Sequence, residues 1–179
     1  MLIRIIMSLD PVLVKDTKSV THSLIDNWVL WAHLPHNTDW SLKSYIKIKE
    51  LSTVEDVIKL TEGIPEKMVK NCMLFLMRSG VNPMWEDKNN VNGGCFSFKI
   101  PDEHVYDLWK NLNYALTGGS ISKNDDFLNN ITGITLSPKK LFFIVKVWMK
   151  DLNYQNPREI IKLDNLNTEG CLFKRHKSY

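Results

Sequence analysis

Hydrophobic and polar positions along the 179-residue chain fall into strand-like runs with two helical patterns set between them. From Ile25 to Trp31 the residues are aromatic and aliphatic and predict a strand. Between Ser44 and Glu50 the pattern alternates, with Ile46 and Ile48 on one face and Lys47 and Lys49 on the other. A continuous apolar strand is predicted from Cys72 to Met77, and an alternating one from Cys95 to Ile100 gathers Phe96, Phe98 and Ile100 on one side. Further strands are predicted over Ile131–Leu136 and Phe142–Met149, with weaker ones at Glu159–Leu163 and Cys171–Lys174.

The first helix is expected to open at Ser52, with Glu55 three residues on to close a capping box, and Val54, Val57 and Ile58 form its apolar face. The second opens on Pro101-Asp102-Glu103, where a fixed φ and acidic side chains suit a helix start. Val105, Leu108, Trp109, Leu112, Ala115 and Leu116 make its apolar stripe, which Gly118-Gly119 ends. Most strands follow one another without a helical crossover, so the sheet should be largely antiparallel. The expected fold is α+β, with helices on one sheet face and the other face open to a ligand. Residues 1–22 predict a loosely structured arm, broken by Asp10-Pro11, and residues 23–179 a single domain.

Composition removes several classes of function. No apolar run approaches the roughly 18 residues of a membrane span, and Met1–Met7 is too short for the apolar region of a signal peptide. Cys72, Cys95 and Cys171 are an odd number without C-x-x-C spacing, which indicates neither a disulfide framework nor a zinc site and fits a reducing cytoplasm. A net charge of +3 is too mild for a protein that coats long nucleic acid, yet suits a small anionic ligand met by a local basic patch. The bias to Lys, Asn and Ile suggests an AT-rich genome.

The candidate chemistry lies in the tryptophans. Trp28, Trp31 and Trp109 sit in apolar patterns and are expected in the core. Trp40 and Trp85 instead lie in turn-rich polar segments, His33–Ser41 and Asn82–Gly94, where an indole has little core to fill. In Pro83-Met84-Trp85-Glu86-Asp87 an indole stands beside a carboxylate, a pairing suited to guanine. The ring can stack on the base while the carboxylate accepts charge-assisted hydrogen bonds from N1–H and the amino group. Methylation at N7 makes the base cationic and adds a cation–π component.

The runs Asp26-Asn27-Trp28-Val29-Leu30-Trp31, Ser52-Thr53-Val54-Glu55-Asp56, Pro83-Met84-Trp85-Glu86-Asp87 and Asn92-Gly93-Gly94 together resemble the eukaryotic translation initiation factor 4E (cap-binding) family, in the same order and with similar spacing. The resemblance extends over residues 21–149. It implies a cupped antiparallel sheet backed by helices, with the 7-methylguanosine cap of mRNA held in the concave face. Trp40 and Trp85 match the stacking tryptophans, Glu86 the guanine-reading carboxylate, and Trp148 the tryptophan near the N7 methyl group. Lys139 falls where the family has a phosphate-binding arginine. Ile144 stands in place of its second basic residue, and strand alternation offers Lys146 as a substitute on the same side as Trp148. Cys95 replaces an arginine common after the two glycines.

The resemblance also implies a helical peptide of a scaffold protein bound on the convex face, against His22, Val54, Ile58, Trp109, Lys110 and Tyr114. There the chain departs from the family. Ile58 replaces a tryptophan, Lys110-Asn111 replace an apolar–acidic pair, and Tyr114 replaces an apolar residue, so Lys110 is expected to repel a basic peptide. Pro157 is expected to shorten or remove the family's third long helix, and residues 174–177 form a basic terminus. The expected activity is that of a cytoplasmic, monomeric, non-enzymatic cap binder in translation initiation, with no cofactor, metal or membrane. The alternatives are a cap-sequestering repressor or a viral translation-hijacking factor, an enzyme acting on nucleotides or caps, and a general binder of single-stranded RNA. The scattered histidines and the absence of a metal motif weigh against the enzyme. Lys139–Phe143 and Ser120–Asn130 are the candidate readers of nucleotides beyond the cap.

Overall fold

The computed structural model describes residues 20–176. Most of the expected arm, and Lys177 of the basic terminus, lie outside the described residues. Seven strands, β1 (Ser23–His33), β2 (Tyr45–Thr53), β3 (Met73–Arg78), β4 (Gly94–Ile100), β5 (Ile131–Pro138), β6 (Phe143–Met149) and β7 (Leu172–Arg175), form one curved sheet in the order β2-β1-β3-β5-β6-β4-β7. Every pairing is antiparallel, as the absence of long crossovers requires.

The helices pack on the convex face: α1 (Val54–Gly63), α2 (Glu66–Asn71), α3 (Val105–Thr117) and α4 (Asp125–Asn130). Beneath them lies the main core, where Leu74 and Leu76 of β3, Phe96 and Phe98 of β4, and Val145 and Val147 of β6 meet Leu108, Trp109 and Leu112 of α3. The alternate residues build a second, smaller cluster on the opposite face: Phe75, Met77, Cys95 and Trp148, joined by Val81, with half-buried Trp31, Tyr45 and Met73 beside them. β3 therefore has apolar neighbours on both faces, which explains its uninterrupted apolar run.

Four local expectations are corrected. The cap of α1 is Thr53, whose Oγ1 accepts from the Asp56 amide at 3.1 Å. Ser52 is still in β2, so the reciprocal partner is Asp56, accepting from the Ser52 amide, and Glu55 is released to bind His22. A Thr53→Ala variant should lose about 1 kcal/mol of stability, read as a fall of about 2–4 °C in Tm. Segment 120–130 is not wholly a loop, because the Asn124 side chain accepts from the Asp126 and Phe127 amides and starts α4, seating Phe127 in the core. Residues 159–163 form no strand; Pro157–Glu159 is a 3₁₀ turn, after which Ile160 makes only an isolated bridge to Ser122. α2 was absent from the sequence reading, since six residues after Pro65 carry too little periodicity. As expected from Pro157, residues 150–171 contain no α-helix.

Candidate functional site

Two loops and three strands converge on the concave face. The loop from β1 to β2 carries Trp40, which is 52% exposed. One face of its indole stacks on His33, with ring centroids 4.2 Å apart and planes within 2°. His33 is buried at the end of β1 and donates from Nε2 to the Asp39 carbonyl at 2.8 Å, so the strand end itself supports the ring. Asp39 in turn accepts from the Ser41 amide and hydroxyl, which lowers its pKa and stiffens the residues flanking Trp40.

Trp85 and Glu86, both exposed, occupy the loop between β3 and β4. That loop has its own hydrogen-bond scaffold. Asp87 accepts from the Asn82 and Asn89 amides, and fully buried Asn90 donates from Nδ2 to the carbonyls of Asn82 and Met84. The sequence reading gave Asp87 and Asn90 no role. Their signal was the preference of Asp and Asn for bonding nearby backbone, but which amides they meet depends on the folded turn. The negative charge of Glu86 is felt by Tyr45 at the start of β2. Burial, and then Glu86, push the Tyr45 hydroxyl up to about 12. Tyr45 meets His33 edge-on at 5.2 Å and Phe75 at 5.3 Å, so an aromatic path runs from the Trp40 loop onto β3.

Trp148 lies nearly buried on β6, opposite Cys95, and its indole N–H donates to Thr135 Oγ1 at 3.2 Å. Lys146, two residues earlier, shares that face and is close enough to Cys95 to favour its thiolate against the effect of burial. Lys139 stands exposed in the turn joining β5 to β6, directly after Pro138. Pro138 and Trp40 line one cavity of about 230 Å³ with His33 and Met73. The concave face thus carries Trp148, Lys146 and Lys174 on its strands, with the exposed Trp40 indole stacked against the end of β1. By contrast, Phe127 packs against Phe96 and Tyr154 on the helix side, so segment 120–130 is not part of this face.

The register of β7 gives a side to part of the basic terminus expected to contact phosphate or to be solvated. Lys174 pairs with Cys95, which turns it to the concave side, and His176 follows two positions later. The His176 ring lies 4.5 Å from that of Trp148. Burial, reinforced by the charge of Lys146, holds its pKa down to about 4. The unfolded chain takes up this proton near pH 6.5 while the folded chain resists it, so stability falls as pH drops from 6.5 toward 4. The loss should be on the order of 2 kcal/mol once solvent screening is allowed for. A His176→Gln variant should show a flatter Tm between pH 7 and 4.5; equal slopes would refute this coupling. Glu55, lowered to about 2 by hydrogen bonds from His22, acts only in a more acidic window.

The model of one family, Eukaryotic initiation factor 4E, matches residues 23–177. The chain belongs to the eukaryotic initiation factor 4E family. Among its relatives is the eukaryotic translation initiation factor 4E of Eremothecium gossypii, 26% identical over 165 residues, covering 82% of this chain and 74% of that protein. A eukaryotic translation initiation factor 4E homolog of Acanthamoeba polyphaga mimivirus is 25% identical over 156 residues, 75% of this chain and 54% of that protein. The structure of a schistosome eIF4E complexed with m7GpppG and 4E-BP superposes with a TM-score of 0.67 at 26% identity, covering 75% of each chain.

On the convex face of this 4E-family chain, Val54 and Ile58 are exposed on α1, 40% and 47%. Trp109 is corrected: it is 1% exposed and belongs to the core under α3, so it offers no surface to a partner. Lys110 is ion-paired to Glu62, whose other carboxylate oxygen accepts from the Tyr114 hydroxyl at 2.7 Å. Its charge is therefore largely met within the chain, and the expected repulsion of a basic peptide is weakened. His22 is likewise tied by Nδ1 to Glu55 at 2.7 Å, and its carbonyl accepts from the first amide of α1.

Proposed function

We propose that this chain binds the 7-methylguanosine cap of mRNA on its concave face and acts in translation initiation. The observation that carries this reading is the pairing of exposed Trp85 and Glu86 on one hydrogen-bonded loop, with a second exposed indole, Trp40, stacked on His33 at the end of β1. Trp40 and Trp85 take the two faces of the base, and Glu86 accepts from its N1–H and amino group. Trp148 lies toward the N7 methyl group, and Lys139 and Lys146 neutralise the triphosphate. The site holds ligand without transforming it, and the protein works in the cytoplasm. Family membership and the cap-bound schistosome relative support this reading.

The test is intrinsic tryptophan fluorescence during titration with 7-methylguanosine triphosphate and with guanosine triphosphate. Strong quenching by the methylated ligand at concentrations where the plain one does nothing is the expected result. Equal quenching by both, or by neither, would remove the cap reading.

A second reading, a cap-sequestering repressor or viral factor with its own partner, is favoured by one feature. Glu62 is closed off by Lys110 and Tyr114 beside the exposed Val54–Ile58 face. The schistosome protein is complexed with a 4E-BP; here a helical peptide on the convex face would meet apolar α1 and an internally paired Glu62. Pull-down of a translation scaffold from its own source separates the two readings.

A further inference from the structure

Trp40 owes its position to a residue that the cap reading leaves without a role. His33 ends β1 with backbone partners on both sides, Tyr45 of β2 and Met73 of β3, and is only 2% exposed. Its ring is therefore held by the sheet rather than by the loop, and it meets the loop twice. Nε2 bonds to the carbonyl of Asp39, the residue before Trp40, at 2.8 Å. A carbonyl can only accept, so this nitrogen carries a proton. The imidazole face lies parallel to the indole, with planes within 2° and centroids 4.2 Å apart. The backbone leading into Trp40 is pinned as well. The Asn37 amide donates to the Leu34 carbonyl, and the Asn37 side-chain oxygen accepts from the Asp39 amide at 3.0 Å. Those bonds leave the indole its own rotation about χ1 and χ2, and the stack on His33 is the contact that selects among these rotamers.

We propose that His33 is a positioning residue for cap binding, holding Trp40 in its binding-competent rotamer before the ligand arrives. The inference rests on the cap reading above. One indole face is covered by the imidazole while the side chain as a whole stays 52% exposed, which leaves the opposite face to a base. The stack is present with and without ligand, so its energy cancels between the two states. Its effect is on population: apparent affinity scales with the fraction of molecules whose Trp40 is already in place. An unsupported indole on a loop divides itself among about six rotamers, three in χ1 and two in χ2. Loss of the stack therefore weakens binding by about three- to sixfold. Exposed side chains change rotamer in nanoseconds or less, far faster than ligand arrives, so the loss falls on association and leaves dissociation unchanged. Loss of a direct ligand contact would do the reverse, since such contacts act mainly on the off-rate.

The experiment is stopped-flow tryptophan fluorescence with 7-methylguanosine triphosphate on wild type, His33→Leu and His33→Phe, beside a thermal melt of each. His33→Leu keeps an apolar side chain without a planar ring and should associate about three- to sixfold more slowly, with its dissociation rate unchanged. His33→Phe restores the ring without the bond to Asp39 and should bring association back to within about twofold of wild type. Ligand-free wild type should also show nuclear Overhauser contacts between the His33 and Trp40 ring protons, a measurement that stands even if the leucine variant does not fold. Association of His33→Leu at the wild-type rate, a loss confined to dissociation, a phenylalanine variant as slow as the leucine one, or no ring-to-ring contact in the free protein would each overturn the positioning role while the cap reading stands. If wild type binds the methylated ligand no better than guanosine triphosphate, the cap reading itself falls and this inference with it.

Discussion

Glu86→Ala should reduce the affinity for 7-methylguanosine triphosphate by about a hundredfold while leaving the thermal stability unchanged. Glu86 is exposed and takes no part in the bonds that shape its loop, which Asp87 accepts and the Asn90 side chain donates. Its removal therefore spares the scaffold. In the complex, the base would lose two charge-assisted acceptors and keep two donors facing a slot from which water is largely excluded. Such a loss costs about 3 kcal/mol, and each 1.4 kcal/mol is tenfold in affinity. Trp85→Ala should cost about 1–3 kcal/mol through the lost stack, and should also remove part of the fluorescence change. Asp87→Ala provides the contrast: it frees the Asn82 and Asn89 amides and should weaken binding by loosening the loop, with a fall in stability that Glu86→Ala does not show. Calorimetric titration with the cap analogue, beside a thermal melt of each variant, separates these outcomes. An unchanged dissociation constant for Glu86→Ala would sink the guanine-reading assignment.

The sheet was legible because alternation is written locally. Ile46 and Ile48 against Lys47 and Lys49 are readable without knowing what β2 pairs with, and the doubly apolar run of β3 reflects the two clusters on its faces. The stripe containing Trp109 correctly predicted a buried residue, whereas carrying over a partner role put the same residue on the surface. The cap of α1 was misplaced by one position because Ser52 and Thr53 are both competent caps, and the choice falls to where β2 ends. α4 was missed because Asn124 caps only six residues, too few for a period to register. In the site, Trp40, Trp85 and Glu86 stood out as large or charged groups in polar turns. His176 did not. Its orientation depends on the register of β7 against β4 across more than seventy intervening residues, and β7 is a four-residue edge strand whose periodicity is weak.

The pair Gly93-Gly94, part of the pattern shared with the family, has a steric reason that makes a second strong prediction. A Cβ on Gly93 would land on the Met149 carbonyl, with the Met149 and Lys150 carbonyl carbons also too close. These are backbone atoms at the end of β6, which no side-chain rotation can clear. The Gly93 amide also donates to the Asn90 carbonyl, and its own carbonyl accepts from His176, so the position joins the Trp85 loop to β4, β6 and β7. Gly93→Ala must therefore push apart the strand ends that carry Trp148 and His176. We expect a loss of 3 kcal/mol or more, of the order seen for overpacked sites at their upper range, corresponding to a fall of roughly 6–12 °C in Tm. Cap affinity should drop as well, because Trp148 and the Trp85 loop shift with the same backbone. Gly63→Ala is the matched control: nothing lies within 4 Å of its added Cβ at the end of α1, and it should be neutral or stabilising by up to about 1 kcal/mol. The comparison isolates position from chemistry, since the two variants add the same methyl group. If Gly93→Ala melts with wild type and binds the cap analogue as tightly, the strand ends tolerate separation. The proposed dependence of the site on the closeness of β4 to β6 would then be wrong.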